Sequence, residues 1–322
     1  MARGRAGAGV ATKRRAPRQA PVRWLAGALA GIVAWALAGP GHAGAAQSGY
    51  RQVRQFRAGL AHARGVAVGA DGAIYLAGDR AVIRCGEEGR LQRRIALSEA
   101  PVALAVAADG TLYLAMQHHL EVYSPQGKRL ARWQRPPGRP WFTSVALAPG
   151  RVWVGDAGNR QVLGYDRQGR LVARLGRRDP GRGVPGILAP SPHLDVAVGA
   201  GGQLWVANPG RHRVEAYTAK GTVARWWGKP SQAADGFCGC CNPTDLALLP
   251  DGRFVTAEKG LPRVKLYTRA GRLQGVLAGP ERFVKERASF DLAVDHRGRI
   301  VVLERATGLV RVFATKKEQT NE

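Results

Sequence analysis

"DLALLPDGRFVTAEKGLPRVKLYTRAGRLQGVL", residues 245–277, strings together a short apolar strand, a Pro-Asp-Gly turn, a second apolar strand, a polar loop, a third strand and a second glycine turn. Apolar runs this short, rich in Val, Leu, Phe and Tyr and cut by turn residues, read as strands rather than helices. The first strand recurs as GVAV at 65–68, ALAV at 103–106, SVAL at 144–147, DVAV at 195–198 and DLAV at 291–294. A shared alanine marks each copy, at Ala67, Ala105, Ala146, Ala197, Ala247 and Ala293, in steps of 38, 41, 51, 50 and 46 residues. Periods of that size indicate a propeller or an array. Nothing in the repeat region is long and periodic enough for a solenoid helix.

The third strand and its glycine turn recur as well, in HLEVYSPQGKRLARW (119–133), QVLGYDRQGRLVARL (161–175) and RVEAYTAKGTVARWW (213–227). With these motifs the chain resembles the NHL-repeat family of six-bladed β-propellers over residues 48–315. The resemblance implies an all-β six-bladed propeller. It implies little about activity, because propellers serve as enzymes, binding platforms and scaffolds alike. The family includes a metal-assisted lyase acting on hydroxyglycine peptides. Its catalytic set has no residue-by-residue match here, so that activity is not carried over.

Repeat six ends at LVRVFATKKEQTNE (309–322) without a fourth strand, while YRQVRQFRAG (50–59) precedes repeat one with no blade of its own. The N-terminal strand is expected to complete the last blade, which would remove two sheet edges together. Ahead of it, Arg3, Arg5, Lys13, Arg14, Arg15, Arg18 and Arg23 precede the apolar run WLAGALAGIVAWALAG (24–39) and the small residues of HAGAAQS. That pattern reads as an export signal cut after Ala45 or, alternatively, an uncleaved membrane anchor. The run falls short of the roughly 20 residues that span a bilayer comfortably. The organisation is thus an export segment at 1–45, a propeller at 46–316 and a polar tail at 317–322, with a bacterial periplasm or the outer face of the cytoplasmic membrane as the destination.

The chain carries 49 Lys and Arg against 23 Asp and Glu, a net charge of +26. Seven of the basic residues and no acids lie in the export segment, which leaves an excess of 19 positive charges beyond it. Such a field would favour an anionic membrane surface or an acidic protein as partner. Nucleic acid is disfavoured, since an exported protein would seldom meet it. The bland alternative is Arg-rich composition on solvated strands.

The blades differ where their loops meet the channel. Two residues before the shared alanine stand Gly65, Ala103, Ser144, Asp195, Asp245 and Asp291; after the second strand stand Gly78, Met116, Asp156, Asn208, Glu258 and Glu304. Blades three to six are polar or acidic at both positions. Asp195, Asp245 and Asp291 are candidates for a cation or ligand site in the central opening, with Asp156, Asn208, Glu258 and Glu304 beside them. Two structural alternatives compete: a loop acid can tie down its own loop through backbone hydrogen bonds, and Arg160, Arg211, Arg263 and Arg305 follow these acids closely enough to pair with them.

Three long connections, at 176–191, 228–243 and 278–288, overhang this half of the face, and such loops on a rigid scaffold tend to carry function. The middle one holds FCGCCNP (237–243). Cys238, Cys240 and Cys241 sit there, whereas Cys85, on the third strand of blade one, is too distant to bridge them. Cys238 and Cys241 have the spacing of a redox pair, Cys240 and Cys241 could close a vicinal disulfide, and three thiolates could hold Cu or Zn with a fourth ligand such as Asp245 or His193. A disulfide that merely pins the loop is the structural alternative. His62, His118, His119, His193 and His212 fall on the loop face, and His296 on the opposite one. No Ser-His-Asp order, phosphate loop, HExxH or haem signature is present. The expected function is a binding scaffold for a protein or small ligand at the loop face, with a metal-binding or thiol-redox protein as the alternative.

Overall fold

The computed structural model describes residues 48–284 and 288–315; the expected export segment, its expected cleavage site after Ala45 and the tail 317–322 lie outside them. Six four-stranded sheets form a ring. Their innermost strands are Ala63–Val68, Ala103–Val106, Phe142–Ala148, Asp195–Val198, Asp245–Leu248 and Phe290–Val294. Each innermost strand contacts the next, and the sixth contacts the first. The molecule is the all-β six-bladed propeller that the repeats imply. Strand Tyr50–Arg57 pairs antiparallel with Leu309–Thr315, from Tyr50 opposite Thr315 to Arg57 opposite Leu309, and forms the outer strand of the sixth sheet.

Three Asp-Gly turns and one Asp-His-Arg-Gly turn are closed by their own aspartates. The carboxylates of Asp71, Asp109, Asp251 and Asp295 each accept from the backbone N–H two residues on, at 3.1, 2.9, 3.0 and 2.9 Å, closing Asx turns between first and second strands. Gly252 follows Asp251 with φ +81°, a conformation glycine adopts without steric cost.

Packing between blades comes from one aromatic position on the third strand. Tyr123, Tyr165, Tyr217, Tyr267 and Phe313 all occupy it and are buried. In blade one the same position holds Cys85, 3% exposed and packed with Ile74, Leu76 and Val310. This thiol is a small core hydrophobe, and burial pushes its pKa up. Between blades four and five, Trp227, Phe237, Phe254 and Tyr267 stack at centroid distances of 4.7–6.0 Å. Phe237, fully buried, is the point where the cysteine loop roots in the core.

Candidate functional site at the mouth of the central channel

An outer ring of polar side chains fixes the long loops. Asp156 accepts from the N–H of Trp141 at 3.0 Å and from Asn159 and Gln161. Asn208 accepts from Leu188 N–H at 3.0 Å, and Glu258 accepts from Cys238 N–H at 3.2 Å. Glu304 accepts from Val284 N–H at 3.3 Å and from Arg311 at 2.9 Å. All four residues are buried, and each spends its oxygen on the incoming loop of its own blade. They act as loop anchors, while the channel itself is faced by the first-strand acids.

Of the four arginines whose sequence positions allow them to pair with these anchors, Arg263 does so among the described residues, reaching Glu258 at 2.5 Å. Arg211 instead donates to the carbonyls of Gly186 and Pro185, at 2.9 and 2.6 Å. Arg160 sits at φ +53° and makes no ion pair among the described residues. Arg305 crosses to the channel rim. Its Nη2 lies 3.1 Å from Asp291 and 3.5 Å from Asp245, and its Nε donates to the Arg64 carbonyl at 2.7 Å.

Two of the rim acids are therefore paired with a single guanidinium, and Asp195 lies within its electrostatic reach. Two of them also stitch blades together: Asp195 accepts from Leu246 N–H of blade five and Asp291 from Val66 N–H of blade one, both at 2.6 Å. In blade three the rim residue Ser144 does the equivalent work, donating to the Leu194 carbonyl at 2.9 Å. Asp245 breaks the pattern. Its second oxygen takes the Thr244 hydroxyl at 2.6 Å rather than a backbone amide of blade six.

Among the described residues Arg305 is the one cation in contact with these carboxylates, and it reaches two of the three: buried Asp245 and partly buried Asp291, with Asp195, also partly buried, left out of contact. Burial, with Asp245 and Asp291 nearby, holds the Asp195 carboxyl well above the usual carboxylate range. Burial likewise raises Asp245 against the opposing pull of Arg305. Asp291 is pushed up to about 7 by burial, with Asp245 adding to it and Arg305 opposing. Burial, with help from Lys259 and Arg305, depresses His193 to about 3, so its imidazole is neutral at physiological pH. The mouth thus combines carboxyls raised above the usual carboxylate range with a histidine depressed below its own.

Above the rim lies an open cavity of about 560 Å³, lined by His62, Arg64, Trp141, Thr143, Pro192 and Arg305 among others. Trp141 is 45% exposed and also walls a second, apolar recess with Ala189, Pro190, Ser191 and Pro192. Among the described residues nothing pairs with the Arg64 guanidinium, and the Nη1 of Arg305 makes no hydrogen bond. A wall of exposed indole beside the Arg64 guanidinium and the remaining nitrogen of Arg305 suits an anion attached to an apolar body.

The cysteine loop borders the same mouth. Its base is held by Lys265, which donates to the Gly236 carbonyl at 2.6 Å and the Ala234 carbonyl at 3.1 Å while paired with Glu258 at 3.1 Å. Its exit is held by Asn242, which donates to the carbonyls of Cys238 and Lys259 and accepts from Lys259 N–H, at 2.7–2.9 Å. The Asn242–Pro243 bond is cis. All four cysteines are free, and these non-covalent bonds hold the loop. Cys240 and Cys241 are in contact, Sγ to Sγ 2.9 Å. Burial acts to raise the Cys241 pKa, but hydrogen bonds from Cys240 and Ser191 and the Lys259 charge outweigh it and lower the net value. The same contact raises Cys240. Cys238 is separate: its sulfur lies 3.8 Å from Asn242 Nδ2.

The structure does not bring the candidate metal ligands together. Among the described residues, the one group of three whose ligand atoms all lie within 4.8 Å is Glu99, His119 and Glu121. Neither the three cysteines, alone or with His193 and Asp245, nor the three rim aspartates form such a set. In the outlying group Glu121 already receives Tyr123, Arg129 and His119.

Lys259, Ser191, Trp141 and the bridging role of Arg305 escaped the reading of the sequence. A usable signal existed. The residue directly after the loop anchor is Ala157, Pro209, Lys259 and Arg305 in blades three to six, so a long cation follows the anchor only in the two blades whose cations turn back to the mouth.

No family model matches the chain, and no curated protein matches it. Solved structures do. A catalytically inactive variant of virginiamycin B lyase from Staphylococcus aureus, determined with quinupristin, is 13% identical with a TM-score of 0.57, covering 79% of this chain and 80% of that one. The WD40 β-propeller domain of Doa1 is 14% identical, TM-score 0.58, covering 84% and 98%. A Bacteroides thetaiotaomicron protein of unknown function is 12% identical, TM-score 0.60, covering 84% and 73%. At these identities the likeness is one of fold.

Proposed function

We propose that this chain is an exported NHL-type propeller that binds a small organic anion at its loop face, with Arg64 and Arg305 meeting the anionic group and Trp141 the apolar body. One observation carries the reading: a cavity of about 560 Å³ in which the Arg64 guanidinium, without a partner among the described residues, and the free nitrogen of Arg305 stand beside an exposed indole on anchored loops. The volume falls within the range typical of small-molecule sites, roughly 300–1,000 Å³. The surplus of positive charge supports steering of anionic ligands or an acidic partner surface toward it. The basic, then apolar, then small-residue order of residues 1–45 supports export to the periplasm or the outer face of the cytoplasmic membrane. Binding is favoured over catalysis because, among the described residues of the cavity wall, no hydrogen bond joins a nucleophile to a base.

The test is a ligand-observed NMR screen of aryl and alkyl carboxylates, followed by calorimetric titration of the hits. Arg64→Ala should weaken a hit by about tenfold, equivalent to about 1.4 kcal/mol, and Trp141→Ala should weaken aromatic hits more than aliphatic ones. Hits that bind both variants as well as the parent protein would refute the assignment.

A further inference from the structure

The FCGCCNP loop holds two cysteine environments, and the separation between them suggests a chemistry. Cys238 is buried, with its backbone tied to Glu258 and Asn242. Cys240 is exposed, next to Gly239 at φ +68°. Cys241 is buried beneath Cys240, and Lys259 lies close by, its Nζ held on the Ser191 hydroxyl at 3.1 Å. Only Cys240 and Cys241 have sulfurs in contact.

We propose that Cys240 and Cys241 form a redox-active vicinal dithiol that exchanges with low-molecular-weight disulfides, Cys240 attacking first and Cys241 resolving. The Cys240 thiol passes its proton to the Cys241 thiolate across their contact and attacks the incoming disulfide RSSR. A Cys240–SR bond forms and RS⁻ leaves. Cys241, next to the Lys259 ammonium, then gives up that proton and attacks the Cys240 sulfur, expelling the second RS group as RSH. Over both steps the two cysteines lose two electrons and form one disulfide, and RSSR gains them as RS⁻ and RSH. The product closes an eight-membered ring between adjacent residues, and strained disulfides of this sort are readily reduced again. The division of labour follows access and charge: the exposed sulfur meets the substrate, while the buried one is the more easily ionised. The proposal does not depend on the anion-binding reading, since it uses neither Arg64 nor Trp141.

The test incubates the reduced full-length protein with glutathione disulfide, alkylates it and maps its peptides. The parent protein should yield a Cys240–Cys241 disulfide within one peptide, with Cys238 alkylated once the protein is unfolded. Cys241→Ser should stop at the first step and accumulate glutathione on Cys240. Cys240→Ser should react at least tenfold more slowly, because the remaining sulfur is buried. Cys238→Ser should behave as the parent does, which separates exchange from mere loop folding. A Cys238–Cys241 bridge, glutathione retained on Cys240 of the parent protein, or no reaction at all would overturn the proposal.

Discussion

Asp245 and Glu258 end neighbouring strands of blade five, on the same face, and their surroundings are opposite. Glu258 has two cations of its own, Arg263 at 2.5 Å and Lys265 at 3.1 Å, and accepts a loop amide as well. Asp245 shares one guanidinium, 3.5 Å away, with Asp291, and Asp195 stands in the same field. In a chain with a charge of +26, the deficit of cations at the rim is not a shortage of arginine. The anchor carboxylate is fully paired; at the rim Arg305 is divided between two carboxylates, and Arg64 lines the cavity without a partner among the described residues. The contrast separates what holds the loops from what can meet a ligand.

The largest test of that contrast is Glu258→Ala. It strands Lys265 and Arg263 in a buried site, and breaking one side of such a pair costs about 3–5 kcal/mol. Urea denaturation should register that loss, whereas Asp245→Asn should cost far less. Equal costs would erase the distinction.

Next in size is the pH dependence conferred by Asp291. Its folded pKa of about 7 lies above its ordinary value of 3.8, so the folded state holds the proton that the unfolded state has already lost. Its contribution is complete below about pH 4, is lost as pH rises to about 7, and is flat beyond. His193, depressed from 6.5 to about 3, has the opposite sign and adds stability as pH rises through that window. The two partly cancel in the parent protein, so the difference between parent and Asp291→Asn is the informative quantity. Between pH 5 and pH 8 that difference should move in favour of the variant by on the order of 2 kcal/mol. A pH-independent difference in urea midpoints would contradict the raised carboxyl.

The smallest expected stability effect belongs to Arg64→Ala, within about 0.5 kcal/mol because the side chain is exposed and unpaired. A thermal melt should leave it with the parent protein even as anion affinity falls. A large destabilisation would place Arg64 among the structural cations and sharpen the contrast in the other direction.

The fold was almost wholly legible in the sequence, for a physical reason. Strand alternation, Asp-Gly turns and one recurrent aromatic position are local signals, and six copies reinforce one another. The rim acids were legible too, because blades that share a backbone can be compared position by position. What escaped were side-chain reaches. Glu304 and Arg305 are neighbours in sequence, yet the arginine passes over its neighbour to bridge Asp291 and Asp245, and no spacing rule encodes that turn. Cys238 and Cys241 share a familiar spacing, but the loop directs Cys238 toward Asn242 and pairs Cys241 with Cys240. Cys85 was legible only as remote from the cluster; its identity as the core residue of blade one follows once it is aligned with Tyr123 and Tyr165.

The central claim is that the mouth is under-neutralised, and carbon-detected NMR titration of the aspartate carboxyls tests it most directly. The account predicts a resonance titrating near pH 7 that disappears in Asp291→Asn. If every aspartate titrates at or below the ordinary carboxylate range, Arg305 balances the rim completely and the claim is contradicted.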